Sequence, residues 1–307
     1  MAGNSNDSGS NRDRTSKKYA AKTSTRARIA AQREAQQRSD RRRNLLVTGG
    51  TVAGVVAVIA IIVGIGIATS HSKSSKNTAG NAVLPAASTV TTAITKAATQ
   101  TSGIPDGSSI GPPTAIKGAA LTAGGKPEVL YIGAEYCPYC AATRWPLAVA
   151  LSRFGTFSNL KTTYSSDTDT AGPHTPTLSF YQSSYSSSYI DFVSKEHADG
   201  LGNPLQSLTS AENKLFSGTG GGSYPFIDFG GQWMQHGSSF DPTILKGMTP
   251  ESVAAALSDT SSTQGKTISA GADVFTAAIC KIDGNKPANV CSAQGVTSAA
   301  TALTAAK

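Results

Sequence analysis

The chain has 307 residues and a formal net charge of +8, with 39% hydrophobic and 15% charged residues. Residues 1–43 hold twelve basic and four acidic side chains, so this segment carries the whole net charge. From residue 44 onward, fifteen basic residues balance fifteen acidic ones. This balance argues against a basic nucleic-acid-binding surface on the globular part and leaves its substrate open.

Residues 45–69 contain no charged side chain and are long enough to cross a bilayer as a helix. Arg41, Arg42 and Arg43 directly precede them, so the positive-inside rule places residues 1–44 in the cytoplasm and the rest outside. The polar composition of this tail predicts disorder. A cleaved signal peptide is the alternative, but its apolar core would be unusually long. We expect an uncleaved single-pass anchor with an extracytoplasmic C-terminal domain.

Three segments follow the predicted transmembrane helix. Residues 70–113 are rich in Ser, Thr, Ala and Gly, which predicts an extracytoplasmic linker. Residues 114–260 mix strand and helix patterns and predict one α/β domain, with an insertion at about 167–202. Residues 261–307 predict a C-terminal helical extension.

The first half of the domain predicts a β-α-β unit. Residues 129–133 form an apolar run typical of a buried strand, and residues 138–154 carry the apolar spacing of a helix packed on a sheet. Residues 160–164 predict the next strand, parallel to the first. Within the insertion, residues 178–181 and 189–193 resemble the two strands of a hairpin.

The second half predicts a helix, a hairpin and another helix. Residues 205–216 favour a helix, and residues 224–237 read as a strand, a Gly-Gly turn and a second strand. Thr249 and Pro250 have the residue types of a helix cap and first turn.

A Cys-x-x-Cys motif, Cys137 to Cys140, directly follows the first predicted strand and opens the first predicted helix. A thiol at a helix N-terminus is favoured as thiolate by unpaired backbone N–H groups and by the helix dipole. The motif therefore predicts thiol–disulfide chemistry at an exposed, acidic Cys137, with Cys140 resolving the mixed disulfide. The alternative is an inert disulfide, but so short a loop would contribute little stability.

Cys280 and Cys291 favour a structural role. Bridging them would close a loop of about a dozen residues, worth about 3 kcal/mol in the chain-entropy model. A second redox pair that exchanges with the first is the alternative. The four histidines are scattered and predict surface positions, Glu135 is expected to be exposed, and we find no cofactor motif and no convincing metal site.

The order of strand, Cys-x-x-Cys, proline-kinked helix, strand, later helix, X-Pro, hairpin and closing helix resembles the thioredoxin fold. The resemblance implies that Pro225 is a cis-proline that faces the cysteines and shapes a substrate groove. A trans proline that begins a strand is the alternative. The neighbouring aromatic residues Tyr136 and Tyr139 are expected to pack against the substrate. One departure concerns the buried acid that many thioredoxins carry six residues before the first cysteine, since that position is Tyr131 here. The segments around Cys137 and Pro225 are also similar to the uncharacterised prokaryotic domain-of-unknown-function family 929, from roughly Pro113 to the C-terminus.

Together these patterns predict a membrane-anchored, extracytoplasmic thiol–disulfide oxidoreductase that acts on thiols or disulfides of exported proteins. One membrane span cannot itself carry electrons across a bilayer, so a separate membrane or extracytoplasmic redox partner is expected. The alternative is a non-catalytic thioredoxin-fold module that binds or scaffolds partners at the cell envelope. A catalytic Cys137 would be exposed and acidic, whereas a structural one would be buried.

Overall fold

The computed structural model describes residues 82–103, 110–259 and 261–303. The predicted cytoplasmic tail and the predicted transmembrane helix at 45–69 lie outside these residues. Among the helices that are described, none combines the length and the apolar character needed to cross a membrane. All described residues belong to one compact unit of mixed α/β structure.

The described residues form eleven strands and seven α-helices. The strands are β1 (Leu84–Pro85), β2 (Thr114–Ala115), β3 (Thr122–Ala123), β4 (Lys126–Gly133), β5 (Gly155–Ser158), β6 (Lys161–Tyr164), β7 (Pro176–Ser179), β8 (Ser184–Ser187), β9 (Asp191–Glu196), β10 (Phe226–Phe229) and β11 (Trp233–His236). The helices are α1 (Ser88–Ala98), α2 (Pro138–Leu151), α3 (Ser210–Gly218), α4 (Pro250–Leu257), α5 (Thr263–Ile282), α6 (Ala288–Cys291) and α7 (Gln294–Ala299).

Strand β4 lies at the centre of a six-stranded sheet. It pairs antiparallel with β10 and β3 and parallel with β9, while β11 and β2 extend the sheet beyond β10. Its side chains alternate between two apolar clusters. Val129 and Tyr131 join the main core with α2 and α5, whereas Leu130 and Ile132 pack with Phe216 of α3 on the other face. Burial on both faces explains the continuous apolar run of this strand.

The parallel partner of β4 differs from the sequence prediction. Strand β6 forms where residues 160–164 predicted a strand, but it pairs antiparallel with β1 and β7 in a separate sheet. Strand β9 occupies the parallel position instead. It is longer than β6, and its Phe192 and Val193 reach the two apolar clusters on opposite faces.

The prediction of a hairpin inside the insertion is also wrong. Strand β7 pairs with β6, strand β8 pairs with β5, and β9 belongs to the central sheet. Residues 167–202 therefore contribute one strand of the main sheet as well as peripheral strands. The two predicted hairpin strands lie in different sheets, because β7 pairs with β6 and β9 pairs with β4.

The hairpin predicted at 224–237 is confirmed. Strands β10 and β11 pair antiparallel, with Phe229 opposite Trp233. Gly230 and Gly231 form the turn with φ values of +64° and +72°, a backbone region that glycine adopts without steric cost. The helix predicted at Thr249 is confirmed as α4, whereas the helix predicted at 205–216 begins later, at Ser210 of α3.

Part of the predicted linker is folded. Helix α1 lies within residues 70–113 and buries Val90 and Ile94 in the main core. Further along, the backbone N–H groups of Ser102 and Gly103 each donate to Oδ2 of Asp273 at 2.6 Å. Residues 102–103 of the predicted linker are therefore attached to α5.

The C-terminal helices complete the core. Helix α5 is largely buried and packs against α2. Cys280 near its end forms the predicted disulfide with Cys291 of α6, with a Cα–Cα distance of 5.7 Å. Both cysteines are buried in the main core, which fits a structural clamp.

Candidate functional site

The Cys-x-x-Cys motif sits where the central strand ends and α2 begins. Strand β4 ends at Gly133, a short turn follows, and Cys137 is the N-cap of α2 in extended conformation. Pro138 takes the first helical position, where its fixed φ suits the helix and no N–H is needed. The Cys137 sulfur accepts a hydrogen bond from the Cys140 backbone N–H at 3.3 Å. The helix terminus is thereby capped by a sulfur atom.

Both thiols are free, and they differ in accessibility. The exposed fraction of Cys137 is 7%, and that of Cys140 is 0%. The prediction of an exposed Cys137 is therefore wrong, because Tyr136, Ala198 and Tyr224 pack against the pair. Of the two residues, only Cys137 retains any solvent contact, so a reaction partner meets this residue first.

The environment moves the pKa values of the two thiols in opposite directions. A hydrogen bond from the Cys140 side chain lowers the pKa of Cys137, helped by backbone N–H donors of α2 and by Arg144, against the opposing effect of burial. Complete burial, together with the hydrogen bond to Cys137, raises the pKa of Cys140 well above its usual range. Of the two thiols, Cys137 therefore forms a thiolate more readily, and Cys140 keeps its proton to higher pH.

The predicted cis-proline is confirmed, since the Tyr224–Pro225 peptide bond is cis. Pro225 is buried and directly precedes β10, whose Phe226 lies opposite Ile132 near the end of β4. The Tyr224 ring packs against the cysteine cluster on one side and stacks on Phe216, with ring centroids 5.0 Å apart. The register of the central sheet therefore brings the proline segment to the cysteines.

A groove of about 620 Å³ shares Tyr224 with the surroundings of the cysteine pair, but neither cysteine lines it. Tyr139, which is 44% exposed, and Tyr224 line it, together with Ala171 and the loop after β11. Of the three residues predicted to form the groove, only Tyr139 lines it. Tyr139 lines the groove, whereas Tyr136 packs on the cysteines and Pro225 is buried and does not line the groove.

The structure buries the carboxylic acid of Glu135 next to the Cys-x-x-Cys motif, whereas the sequence predicted that Glu135 lies at the surface. Glu135 is fully buried, and its Oε1 accepts a hydrogen bond from Ser179 Oγ at 2.5 Å. Its Oε2 has no hydrogen-bond partner among the described residues. Burial raises the pKa of Glu135, which Ser179 offsets only in part. The prediction of an exposed Glu135 is therefore wrong.

A buried ion pair lies behind the cysteines and was also missed. Arg144 of α2 and Glu196 of β9 are both fully buried and joined by two hydrogen bonds, from Nε at 2.8 Å and from Nη2 at 2.7 Å. Arg144 also donates to the carbonyl of Ala134 at 2.9 Å and to Thr177 Oγ1 at 3.3 Å. The sequence did hold a signal, because Arg144 is the one charged residue in an otherwise apolar helix.

Two histidines have partners that the sequence did not reveal. Nδ1 of His197 hydrogen-bonds to the hydroxyl of Tyr224, which places this histidine next to the cysteine cluster. His174 pairs with Asp167 at 2.6 Å on the surface. His174 is exposed, as predicted, although its carboxylate partner was not foreseen. His236 is exposed as predicted, and His71 lies outside the described residues.

Comparison with known protein families gives one match. Residues 113–218 and 221–281 match the family described as Domain of unknown function (DUF929). The match covers more than half of the chain, so the chain belongs to this family, as its motifs predicted. Comparisons with curated proteins and with solved structures gave no match.

Proposed function

We propose that this member of the DUF929 family is a thiol–disulfide oxidoreductase with Cys137 as nucleophile and Cys140 as resolving thiol. The observation that carries the proposal is the asymmetry of the pair. Cys137 caps α2, has a lowered pKa and retains solvent contact, whereas Cys140 is sealed and has a raised pKa. A structural pair would need no such difference.

The reaction follows from this asymmetry. The Cys137 thiolate attacks one sulfur of a substrate disulfide, a Cys137–substrate disulfide forms, and the other substrate sulfur leaves as thiolate and takes up a proton. Cys140 then loses its proton and attacks the Cys137 sulfur, which releases the second substrate thiolate. The substrate gains two electrons, and the pair becomes a Cys137–Cys140 disulfide. The reverse sequence oxidises two substrate thiols.

The arrangement around the motif supports the proposed thioredoxin-like relationship. Strand β4 leads into Cys-x-x-Cys and α2, strand β9 runs parallel to β4, and the antiparallel β10–β11 hairpin follows a cis X-Pro bond. Each of these features appears in the order that the resemblance implies. The relationship remains part of the proposal, together with the role of Pro225 and Tyr139 at the substrate groove.

The proposed location and partners follow from the sequence. The uncharged segment at 45–69, preceded by Arg41 to Arg43, supports a single-pass anchor with the domain outside the cytoplasm. In that compartment the substrates are thiols or disulfides of exported proteins. A separate redox partner, a dithiol or disulfide protein, would return the pair to its starting state.

The first test is redox equilibration of the full chain in glutathione buffers, followed by alkylation and mass spectrometry. A reduction potential of about −120 mV would indicate an oxidant of exported thiols, whereas a potential of about −270 mV would indicate a reductant. Cys137→Ser should abolish exchange with a model disulfide, and Cys140→Ser should accumulate the mixed disulfide. Full exchange by Cys137→Ser would overturn the mechanism.

One observation favours a second candidate function, a non-catalytic module that binds or scaffolds partners. Both thiols are largely buried in the described structure, which limits the access of a substrate disulfide. The same experiment separates the two functions. A pair that equilibrates with neither glutathione nor dithiothreitol would support the binding module and exclude the enzyme.

A further inference from the structure

Arg144 lies on the same helical face as the two cysteines. It follows Cys140 by four residues and Cys137 by seven, which are about one and two turns of α2. Helical side chains lean toward the N-terminus of their helix, so the guanidinium of Arg144 extends back toward the motif. Its hydrogen bond to the Ala134 carbonyl confirms this direction, because Ala134 packs directly with both cysteines.

The Ala134 carbonyl joins the cation to the motif. It accepts from Arg144 Nη2 at 2.9 Å and also from the Cys137 backbone N–H at 3.2 Å. The guanidinium therefore holds the turn that positions Cys137 as helix cap. Arg144 also lowers the pKa of both thiols through its positive charge.

Stability alone is a weak reason to bury this charge. An apolar pair of similar volume is often as stable as a buried ion pair, because removing two charges from water is costly. The chain contains another buried pair, Arg153 with Asp273 at 2.7 Å, which also ties the backbone of residues 102–103 to α5. Both pairs connect distant segments, but of the two only Arg144–Glu196 lies against the reactive motif.

We propose that Arg144 is a positioning residue whose guanidinium favours the thiolate form of the Cys137–Cys140 pair, and that Glu196 limits this effect. A disulfide carries no charge, so a nearby cation stabilises the reduced thiolate state over the oxidised state. The ion pair would thus set how oxidising the cysteine pair is. This inference deepens the proposed function and rests on it for its biological meaning.

The other titratable groups that face Arg144 are Tyr131 and Glu135. The Arg144 Cζ lies 5.8 Å from the centroid of the Tyr131 ring, and burial raises the pKa of that phenol well above its usual range. Burial also raises the pKa of Glu135. Tyr131 is therefore neutral at neutral pH, and Glu196 is the direct ionic partner of the guanidinium.

The test measures the pKa of Cys137 in the reduced full chain from its thiolate absorbance, taken as the difference from Cys137→Ser. The double variant Arg144→Met/Glu196→Met removes both charges and leaves no unpaired ion. Its Cys137 pKa should rise by about one unit, the low end for the loss of a close opposite charge, so that roughly tenfold less thiolate is present below both pKa values. Its reduction potential against glutathione should become more negative.

Two single variants and a matched control sharpen the test. Glu196→Gln leaves the cation without its counter-charge, so the Cys137 pKa should fall and the pair should become more oxidising. Arg144→Lys keeps the positive charge and should retain most of the wild-type pKa. Arg153→Met/Asp273→Asn changes the other buried pair and should leave the Cys137 pKa unchanged.

A folded Arg144→Met/Glu196→Met protein with a wild-type Cys137 pKa would show a purely structural ion pair and overturn the inference. If that variant does not fold, Glu196→Gln decides, and a pKa that stays constant or rises would overturn it. These measurements use no protein substrate. A pair that follows the predicted shifts but does not act on protein disulfides would refute the proposed function and leave the inference standing.

Discussion

Removing the Cys280–Cys291 disulfide should weaken the fold without affecting the Cys137–Cys140 pair. The two cysteines are 11 residues apart, and a cross-link of this span restricts the unfolded chain by about 3 kcal/mol. The exposed fractions of the two cysteines are 3% and 9%, so alanine at both positions also removes buried packing. Cys280→Ala/Cys291→Ala should therefore lower the free energy of unfolding by about 3 kcal/mol or slightly more.

Urea unfolding of the full chain, followed by the fluorescence of buried Trp145, measures this loss. In a thermal scan the same loss corresponds to a midpoint lowered by about 6–12 °C for a domain of this size. Wild-type protein with its disulfide reduced is the matched control and should show a similar midpoint. A loss below about 1 kcal/mol would refute the chain-entropy argument. Unchanged stability with lost exchange at Cys137 would instead indicate a second redox pair.

Two further predictions concern buried groups near the central sheet. Burial raises the pKa of Glu135 in the folded state, so the folded protein holds this proton more tightly than the unfolded chain. The resulting stability is fully present below the unfolded pKa of about 4.3. It is lost as the pH rises through the folded pKa and the buried carboxyl becomes charged. Glu135→Gln should thus match the wild-type free energy of unfolding at acidic pH and exceed it at alkaline pH in urea titrations; a difference that does not change with pH would contradict this. A Cβ at Gly231 (φ +72°) would lie 1.9 Å from the Ala119 carbonyl oxygen, whereas a Cβ at Gly237 (φ +78°) would contact nothing within 4 Å. Gly237→Ala should cost about 1 kcal/mol, and Gly231→Ala about 2 kcal/mol more, by chemical denaturation; equal losses would refute the steric argument.

The sequence was sufficient where neighbouring residues determine the structure. Cys137 and Pro138 begin α2 because one caps the helix through its side chain and the other suits the first turn. Gly230 and Gly231 permit the left-handed turn between β10 and β11. The span between Cys280 and Cys291 fits a local bridge. In each case the contacts that determine the structure join residues close together in the sequence, at most 11 positions apart.

The sequence was insufficient where distant segments meet. The segments of β6 and β9 both predict strands, and packing on both faces of the sheet decides which one pairs with β4. Glu135 is buried because it meets Ser179, 44 residues further along the chain. Arg144 meets Glu196 across 52 residues. The single charge of Arg144 in an apolar helix indicates burial, but nothing near either residue in the sequence identifies its distant partner.

The topology of β4 also affects how the chain reaches this fold. This strand acquires its neighbours β9 and β10 only after roughly 60 and 95 residues of intervening chain, which makes assembly of the sheet slow compared with local helix formation. Four cysteines allow three pairings, and each wrong one joins the two halves across roughly 140 residues. Both short-range pairs close much smaller loops. A newly made chain with four reduced thiols is thus biased toward Cys137–Cys140 and Cys280–Cys291 before the central strand has found its partners.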